Sequence, residues 1–256
     1  MTEILTQRDL FSAQGNYVAK GNDLIQKSRY SLSLMEQKAV LFIISKITPY
    51  DEPNKEYVFK IKDFVKTCNF NTSSGRYADY LVSIMESIAE KVIVIETEPG
   101  KRLVANWFSS AEIDEKTNTI TITFDRKLTP YLFQLKSFYT QYRLEYVLAM
   151  KSKYSVRLYE LLKSVKYIGY KYRISLDELR EKIDCLDKYP NYKDFRLYVL
   201  DKAIKEINAY TDIKVSFKAY REGKKVNIIE FILLSAEFDE VRQQNRREKL
   251  GEMKRD

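Results

Sequence analysis

The sequence predicts an α+β protein of two tandem domains related by internal duplication, and two observations lead to this fold class. First, one order of elements, namely short strand, short helix, turn, long helix and β-hairpin, occurs twice, about 115–120 residues apart. Second, the excess positive charge lies in the second copy. This order of elements is that of a winged-helix domain, which has a helix, a turn, a second helix and a hairpin. Its second helix enters the major groove of DNA, and the hairpin, or wing, lies along the backbone.

Composition excludes several classes of protein. Hydrophobic residues make up 45% of the chain and charged residues 31%, which is typical of globular domains. No apolar run approaches the roughly 18 residues of a membrane span, and residues 1–15 lack the apolar stretch of a signal peptide. We therefore expect a cytoplasmic protein with no membrane partner. Cys68 and Cys185 lie far apart and outside any CxxC pair, so we expect two buried thiols.

The chain contains no histidine, which limits the chemistry available to it. Ser-His-Asp and Cys-His catalysis are excluded, and the commonest metal ligand in proteins is missing. Two glycine-lysine pairs, Gly100-Lys101 and Gly223-Lys224, lack the upstream glycine of a P-loop ATPase. We expect no enzymatic activity and therefore no catalytic residues, no metal and no cofactor.

The first copy is expected in residues 16–135, after a tail at 1–15. Ser33 and Glu36 have the spacing of a capping box, which predicts the start of a helix of about 14 residues. Apolar periodicity and turn residues then predict, in order, a strand at 57–61, a short helix at 62–68, a turn at 71–75, a long helix to about residue 90, a hairpin with strands at 92–96 and 102–108, and a third strand at 119–124.

The second copy is expected in residues 136–234, before a charged tail at 235–256. Ser175 and Glu178 again have the spacing of a capping box, here at the start of a short helix. The same patterns predict, in order, a strand at 172–174, the short helix at 175–183, a turn at 187–191, a long helix at 192–210, and a hairpin with strands at 213–220 and 226–234.

Charge is distributed unevenly along the chain, whose net charge is +8. Residues 1–130 contain 17 basic and 17 acidic residues, residues 131–234 contain 21 and 13, and the tail contains 6 and 6. The densest run, 151–173, has seven basic residues against Glu160 alone. Such a surface attracts polyanions by releasing their counterions, so we expect DNA to bind mainly to the second copy.

The candidate DNA-binding residues follow from this arrangement, because base and phosphate contacts concentrate at the start of a recognition helix and on the wing. In the second copy they are Lys193, Arg196 and Lys202 on the long helix, Lys218, Arg221, Lys224 and Lys225 on the wing, and Lys151, Lys153 and Arg157 in the basic run. In the first copy they are Arg76 and Tyr77, at the start of the equivalent helix. The alternatives are ordinary solvated surface for each residue and, for the whole chain, two α+β domains that bind no nucleic acid.

Three segments resemble one family, the Rep_3-type plasmid replication initiators. They are NDLI at 22–25 with LSLMEQK at 32–38, YTQY at 139–142 with KSKYSVRLYELL at 151–162, and YKDFR at 192–196 continuing as VLDKAIKEIN at 199–208. The last resembles the family's recognition helix. Members usually carry further basic residues just after the positions of Phe195 and Arg196, where this chain has Leu197 and Tyr198. Either the base contacts differ here, or Tyr198 contributes through stacking or its hydroxyl.

The resemblance implies an initiator that binds double-stranded origin DNA at direct repeats (iterons) as a monomer. It further implies melting of adjacent DNA, recruitment of the host initiator ATPase and replicative helicase, and a homodimer, in equilibrium with the monomer, that represses its own promoter. From the sequence itself, the apolar strands at 92–95 and 120–124 are suited to pairing with a second copy. Two other functions stay open: a dimeric winged-helix transcriptional repressor, and a DNA strand-transferase that uses one of the 20 tyrosines.

Overall fold

The computed structural model of the chain describes residues 16–68 and 77–235. The chain forms two compact units, Met1–Lys153 and Tyr154–Asp256. The division lies beyond the expected boundary, so that residues 136–153 belong to the first unit. The reason is a long-range strand pair, because β8 (Tyr139–Arg143) pairs antiparallel with β1 (Tyr17–Gly21) at the other end of the unit.

Within residues 16–68 and 77–153, unit 1 contains three small antiparallel sheets with the strand orders β1-β8, β2-β4-β5 and β3-β7-β6. Its elements are, in chain order, β1, α1 (Asn22–Gln26), β2 (Ser28–Arg29), α2 (Leu34–Ile44), β3 (Tyr57–Lys60), α3 (Ile61–Thr67), α4 (Tyr77–Ala89), β4 (Val92–Glu98), β5 (Lys101–Asn106), β6 (Phe108–Asp114), β7 (Thr119–Phe124), a 3-10 turn (Arg126–Leu128), α5 (Thr129–Leu132), β8 and α6 (Leu144–Leu148). The predicted order of short helix, long helix and hairpin is present as α3, α4 and β4–β5.

Helix α2 is the central element of unit 1, with every residue from Glu36 to Ile44 buried. Its capping box forms as predicted: the Glu36 amide donates to the Ser33 hydroxyl at 3.3 Å, and the Ser33 amide donates to the Glu36 carboxylate at 2.7 Å. Cys68 is buried, and burial raises the pKa of its thiol to about 12. Cys185 in unit 2 is buried as well, so both thiols are as expected.

Both strands expected to pair with a second copy lie inside sheets of unit 1. Strand β4 is flanked by β2 and β5, and β7 is flanked by β3 and β6. The expectation that these strands are suited to pairing with a second copy is therefore wrong for 120–124, whereas β2 covers 92–95 only at Val94 and Ile95. The reason is that β2 pairs with β4 and β6 pairs with β7, and the sequence patterns revealed neither β2 nor β6.

Unit 2 contains the second winged-helix order. Its elements are, in chain order, α7 (Lys153–Val165, whose first residue is the last of unit 1), a 3-10 turn (Lys166–Ile168), β9 (Lys171–Ser175), α8 (Leu176–Lys182), α9 (Tyr192–Phe195), a π-helical segment (Arg196–Leu200), α10 (Asp201–Tyr210), β10 (Ile213–Glu222) and β11 (Lys225–Ser235). The three strands form one antiparallel sheet in the order β10-β11-β9. The β10–β11 hairpin is the wing, and α9, the π-helical segment and α10 form one long helix, residues 192–210.

The long helix of unit 2 differs from the uninterrupted α-helix that its sequence predicts. Residues 196–200 are π-helical, and such a segment widens one turn of the helix. Phe195, Val199, Leu200, Ala203 and Ile207 are all buried in the core of the unit. The three consecutive residues between Phe195 and Val199 are exposed. The π-helical segment thus presents 196–198 to solvent, near the start of the helix.

No helix within residues 16–68 and 77–235 combines the length and the apolar character that crossing a membrane requires.

Candidate nucleic-acid interface

A cleft of about 780 Å³ opens in unit 2 where the turn of the wing faces the starts of two helices. Its lining comes from three segments: residues 175–177 at the start of α8, residues 190–193 at the start of α9, and residues 221 and 224–227 in and beside the turn of the wing. We call this space the wing cleft. Four basic residues line it, Lys193, Arg221, Lys224 and Lys225, against the single acidic residue Asp177. The wing cleft is therefore electropositive.

Local sequence fixes both helix starts at the wing cleft. The Asn191 side chain caps α9 by accepting the Asp194 amide at 2.9 Å, and the Ser175 hydroxyl caps α8 by accepting the Glu178 amide at 3.1 Å. The predicted role of Ser175 as a cap is thus confirmed. The start of the long helix adds the partial positive charge of a helix N-terminus, which favours phosphate and other anions.

The wing places its predicted residues at the cleft. Gly223 in its turn has φ +60°, a left-handed conformation that favours glycine, and it allows a tight connection between β10 and β11. Arg221, Lys224 and Lys225 line the wing cleft, whereas Lys218 is exposed further along β10. The wing therefore offers several cations along one edge, as contact with a phosphate backbone requires.

Of the DNA-binding residues predicted on the long helix, only one lies at the wing cleft. Lys193 lines it, whereas Arg196 leans towards β10, with its Nε 3.4 Å from an Asp201 carboxylate oxygen and its guanidinium 5.8 Å from the centre of the Phe217 ring. Tyr198 has a different partner. Its ring stacks on Tyr189, with 5.4 Å between the centres and 26° between the planes. Lys202 is exposed in the first turn of α10.

The basic run at 151–173 is not one continuous cationic face. The Arg157 side chain is 3% exposed, and its Nη2 and Nε donate to the Lys182 carbonyl at 2.7 and 3.2 Å. The expectation that Arg157 contacts DNA is therefore wrong, because its guanidinium is buried and hydrogen-bonded inside unit 2. Lys163 forms an ion pair with Asp212. Lys151 is exposed and Lys153 is half-buried at the start of α7, so their predicted contacts remain predictions.

Unit 1 offers fewer candidates at the equivalent place. Arg76 lies outside the described residues, and Tyr77 is exposed at the first position of α4. In the hairpin β4–β5, Lys101 forms an ion pair with Glu98. With the division after Lys153, the first unit has 21 basic and 18 acidic residues and the second has 23 and 18. The excess charge is thus shared between the units, at +3 and +5, and not confined to the second as the sequence boundary indicated.

Sequence reasoning missed two groups of residues near the interface. Asn191 and Asn227 line the wing cleft with polar side chains, although only the turn signal around Pro190 pointed to the first of them. Leu197 was noted only as an unusual residue. Its place between the buried positions 195 and 199 is the signal that could have shown it to be exposed on the helix.

Comparisons with known proteins agree with this architecture. The chain matches the family model described as Initiator Replication protein, WH1, over residues 17–163, and that described as Initiator Rep protein, WH2, over residues 175–233. A "Replication initiation protein" of Escherichia coli is 27% identical over 207 residues, which cover 77% of this chain and 64% of the relative. The "PI protein" of Escherichia coli is 32% identical over 130 residues, which cover 44% and 42%. The chain thus spans less than two thirds of the length of these relatives.

Two solved structures are also similar to the chain. A structure of domains 2 and 3 of RctB has a TM-score of 0.48 and 13% identity, covering 88% of this chain and 93% of that one. The WH1 domain of MSBI1.176, a replication protein, has a TM-score of 0.27 and 16% identity, covering 36% of this chain and 72% of that one.

Proposed function

Because this chain belongs to the family of initiator replication proteins with WH1 and WH2 domains, we propose that it initiates plasmid replication by binding origin DNA sequence-specifically. The observation that carries the proposal is the wing cleft, where the start of the long helix and the turn of the wing bring four basic residues to one place. A recognition helix and a wing need this juxtaposition to hold a duplex between groove and backbone.

In this proposal the long helix of unit 2 enters the major groove, and the wing follows the phosphates beside it. Lys224 and Lys225 neutralise phosphates, and Arg196 reaches base edges from the exposed segment 196–198. The partner of Arg196, Asp201, is itself exposed. An exposed ion pair contributes roughly 0–1 kcal/mol, so it orients the guanidinium without preventing a stronger bidentate contact with guanine.

Two winged-helix domains in one chain favour direct repeats as the target. A symmetric dimer matches a palindrome, because its two-fold axis must coincide with that of the DNA. A monomer with two different DNA-binding domains has no such axis, and it therefore fits repeats that all run in one direction. We accordingly propose that the monomer binds iterons, acts in the cytoplasm without enzymatic activity, and recruits the host initiator ATPase and helicase. We also propose that a homodimer represses the protein's own promoter.

The experiment is a footprint of the full chain on the DNA beside its gene, followed by replication of a plasmid that carries the protected segment. Protection of tandem repeats of about 20 base pairs, two turns of the duplex, together with chain-dependent replication, is the expected result. Protection of a lone palindrome without replication would instead favour a dimeric transcriptional repressor. A covalent protein–DNA adduct on a denaturing gel would favour a strand-transferase.

A further inference from the structure

Leu197 is an exposed apolar residue in the long helix of unit 2. Its side chain is 54% exposed, while Phe195 and Val199, two positions before and after it, are buried in the core. Two positions along a helix place side chains on roughly opposite sides of it, so Leu197 projects away from the core with respect to both residues. An apolar side chain thus lies on the solvent-facing side of the helix that the proposed function places in the major groove.

The residues on either side leave Leu197 uncovered. The Arg196 guanidinium is held towards β10 by Asp201 and by the face of the Phe217 ring. The Tyr198 ring stacks on the Tyr189 ring, which precedes the helix. Each neighbour therefore has a contact partner of its own, and neither covers the Leu197 side chain, which stays 54% exposed.

The chemistry of the major groove limits what such a contact can recognise. The base edges there present hydrogen-bond donors and acceptors, with one apolar group, the C5-methyl of thymine. Leucine can neither donate nor accept a hydrogen bond. We propose, on the basis of the proposed DNA-binding function, that Leu197 is a specificity-determining residue that packs against a thymine methyl group beside the bases read by Arg196.

This contact has a predictable size. Burying one methyl or methylene group contributes about 0.8 kcal/mol, which corresponds to about a fourfold change in affinity. Leu197 therefore adds a preference for thymine at one or two positions of the site and does not provide the main binding energy. That energy comes from the phosphate contacts of the wing.

The test uses deoxyuridine, which has the hydrogen-bonding edge of thymine and lacks only the methyl group. A site is first selected by the full chain from a randomised pool of duplexes, and it is then synthesised with each thymine replaced in turn by deoxyuridine. At one or two positions the natural chain is expected to lose about fourfold in affinity on replacement. Leu197→Ala is expected to bind both versions of the site equally, and Leu197→Met to keep the preference.

The matched control is Leu186→Ala, which shortens an equally exposed leucine (56%) in the loop before the helix. It is expected to keep the full preference for thymine. Equal binding of both versions by the natural chain, a preference that survives Leu197→Ala, or a preference lost in Leu186→Ala as well would overturn the assignment. If the natural chain selects no sequence at all, the proposed function fails and this inference fails with it. If the chain selects a site but its affinity does not depend on the thymine methyl groups, only this inference fails and the proposed function stands.

Discussion

Arg157 and its acceptor, the Lys182 carbonyl, form a charge-assisted hydrogen-bonded pair inside unit 2. Arg157→Ala removes both hydrogen bonds and leaves the carbonyl without these donors. Hydrogen bonds to charged groups contribute about 1.5–3 kcal/mol, so we expect the free energy of unfolding to fall by about 2–3 kcal/mol. Urea unfolding measures this loss, with the exposed Lys202→Ala as the control, expected to stay within about 0.5 kcal/mol. Weakened DNA binding at unchanged stability would show instead that Arg157 reaches DNA.

Arg196 and Lys224 are expected to read different parts of the duplex. Arg196 lies on the exposed segment of the long helix, so Arg196→Ala should cost roughly 1–3 kcal/mol on the cognate repeat and much less on random DNA. Lys224 lies in the turn of the wing, so Lys224→Ala should weaken both DNAs equally and reduce the salt slope by about one. Binding of each variant to cognate and scrambled duplexes across a salt series measures both effects.

A parallel loss on both DNAs for Arg196→Ala would make Arg196 a phosphate contact. Specificity would then have to come from Lys193, Tyr198 or unit 1.

At the scale of single elements, Glu36 ties the start of α2 to the end of α4. Its carboxylate accepts hydrogen bonds from Lys91 Nζ at 2.6 Å, from the Ser87 hydroxyl at 2.5 Å and from the Ser33 amide at 2.7 Å. Burial by itself would raise the pKa of Glu36. These hydrogen bonds outweigh burial and hold the pKa below its ordinary value.

A carboxyl whose pKa is lower in the folded state stabilises the fold above its unfolded pKa, about 4.3 for glutamate, and this contribution is lost as the pH falls through the folded pKa. Glu36→Gln should therefore lower the free energy of unfolding of unit 1 by about 1–3 kcal/mol at neutral pH and by much less in acid. Urea titrations over a pH series check this, with the exposed Glu90→Gln as the control. An equal loss at every pH would indicate that the side chain acts through packing and not through its charge.

The same elements show which parts of the fold are readable from sequence. The caps at Ser33 and Ser175 depend on residues three positions apart, so local spacing predicts them. Strand β1 is different, because its partner β8 lies more than a hundred residues away and neither strand has a distinctive apolar pattern. Strand β6 is a polar, largely exposed edge that alternation cannot reveal. Elements defined by distant pairing are therefore the ones that sequence reasoning missed.

The residues of the candidate site likewise fall into those that the sequence predicts and those that it does not. Lys193, Arg221, Lys224 and Lys225 reach the wing cleft as expected, because a helix start and a tight turn are both local features. Arg157 could not be placed correctly, since all residues from Tyr154 to Leu162 on α7 are buried and periodicity identifies no exposed side. The π-helical segment that sets the direction of 196–198 has no simple signal in the sequence either.

At the scale of the whole molecule, the lining of the wing cleft comes entirely from residues 175–227, within unit 2. Unit 2 also has its own buried core, which includes Phe195, Ile213 and Phe231. We therefore expect a fragment of residues 151–256, which keeps all of α7, to fold and to bind the cognate repeat. Its affinity should be lower than that of the full chain, because any phosphate contacts made by unit 1 are lost.

The complementary fragment of residues 1–153 is expected to bind the same DNA only weakly. Its net charge is +3, against +7 for the fragment of residues 151–256, and Lys101 in its hairpin is paired with Glu98. Gel shifts of both fragments against the full chain, over a salt series, measure how affinity is divided, and circular dichroism checks that each fragment is folded. A folded first fragment that binds the repeat as tightly as the second would move the main DNA contact to unit 1. The four basic residues of the wing cleft would then be an accessory surface.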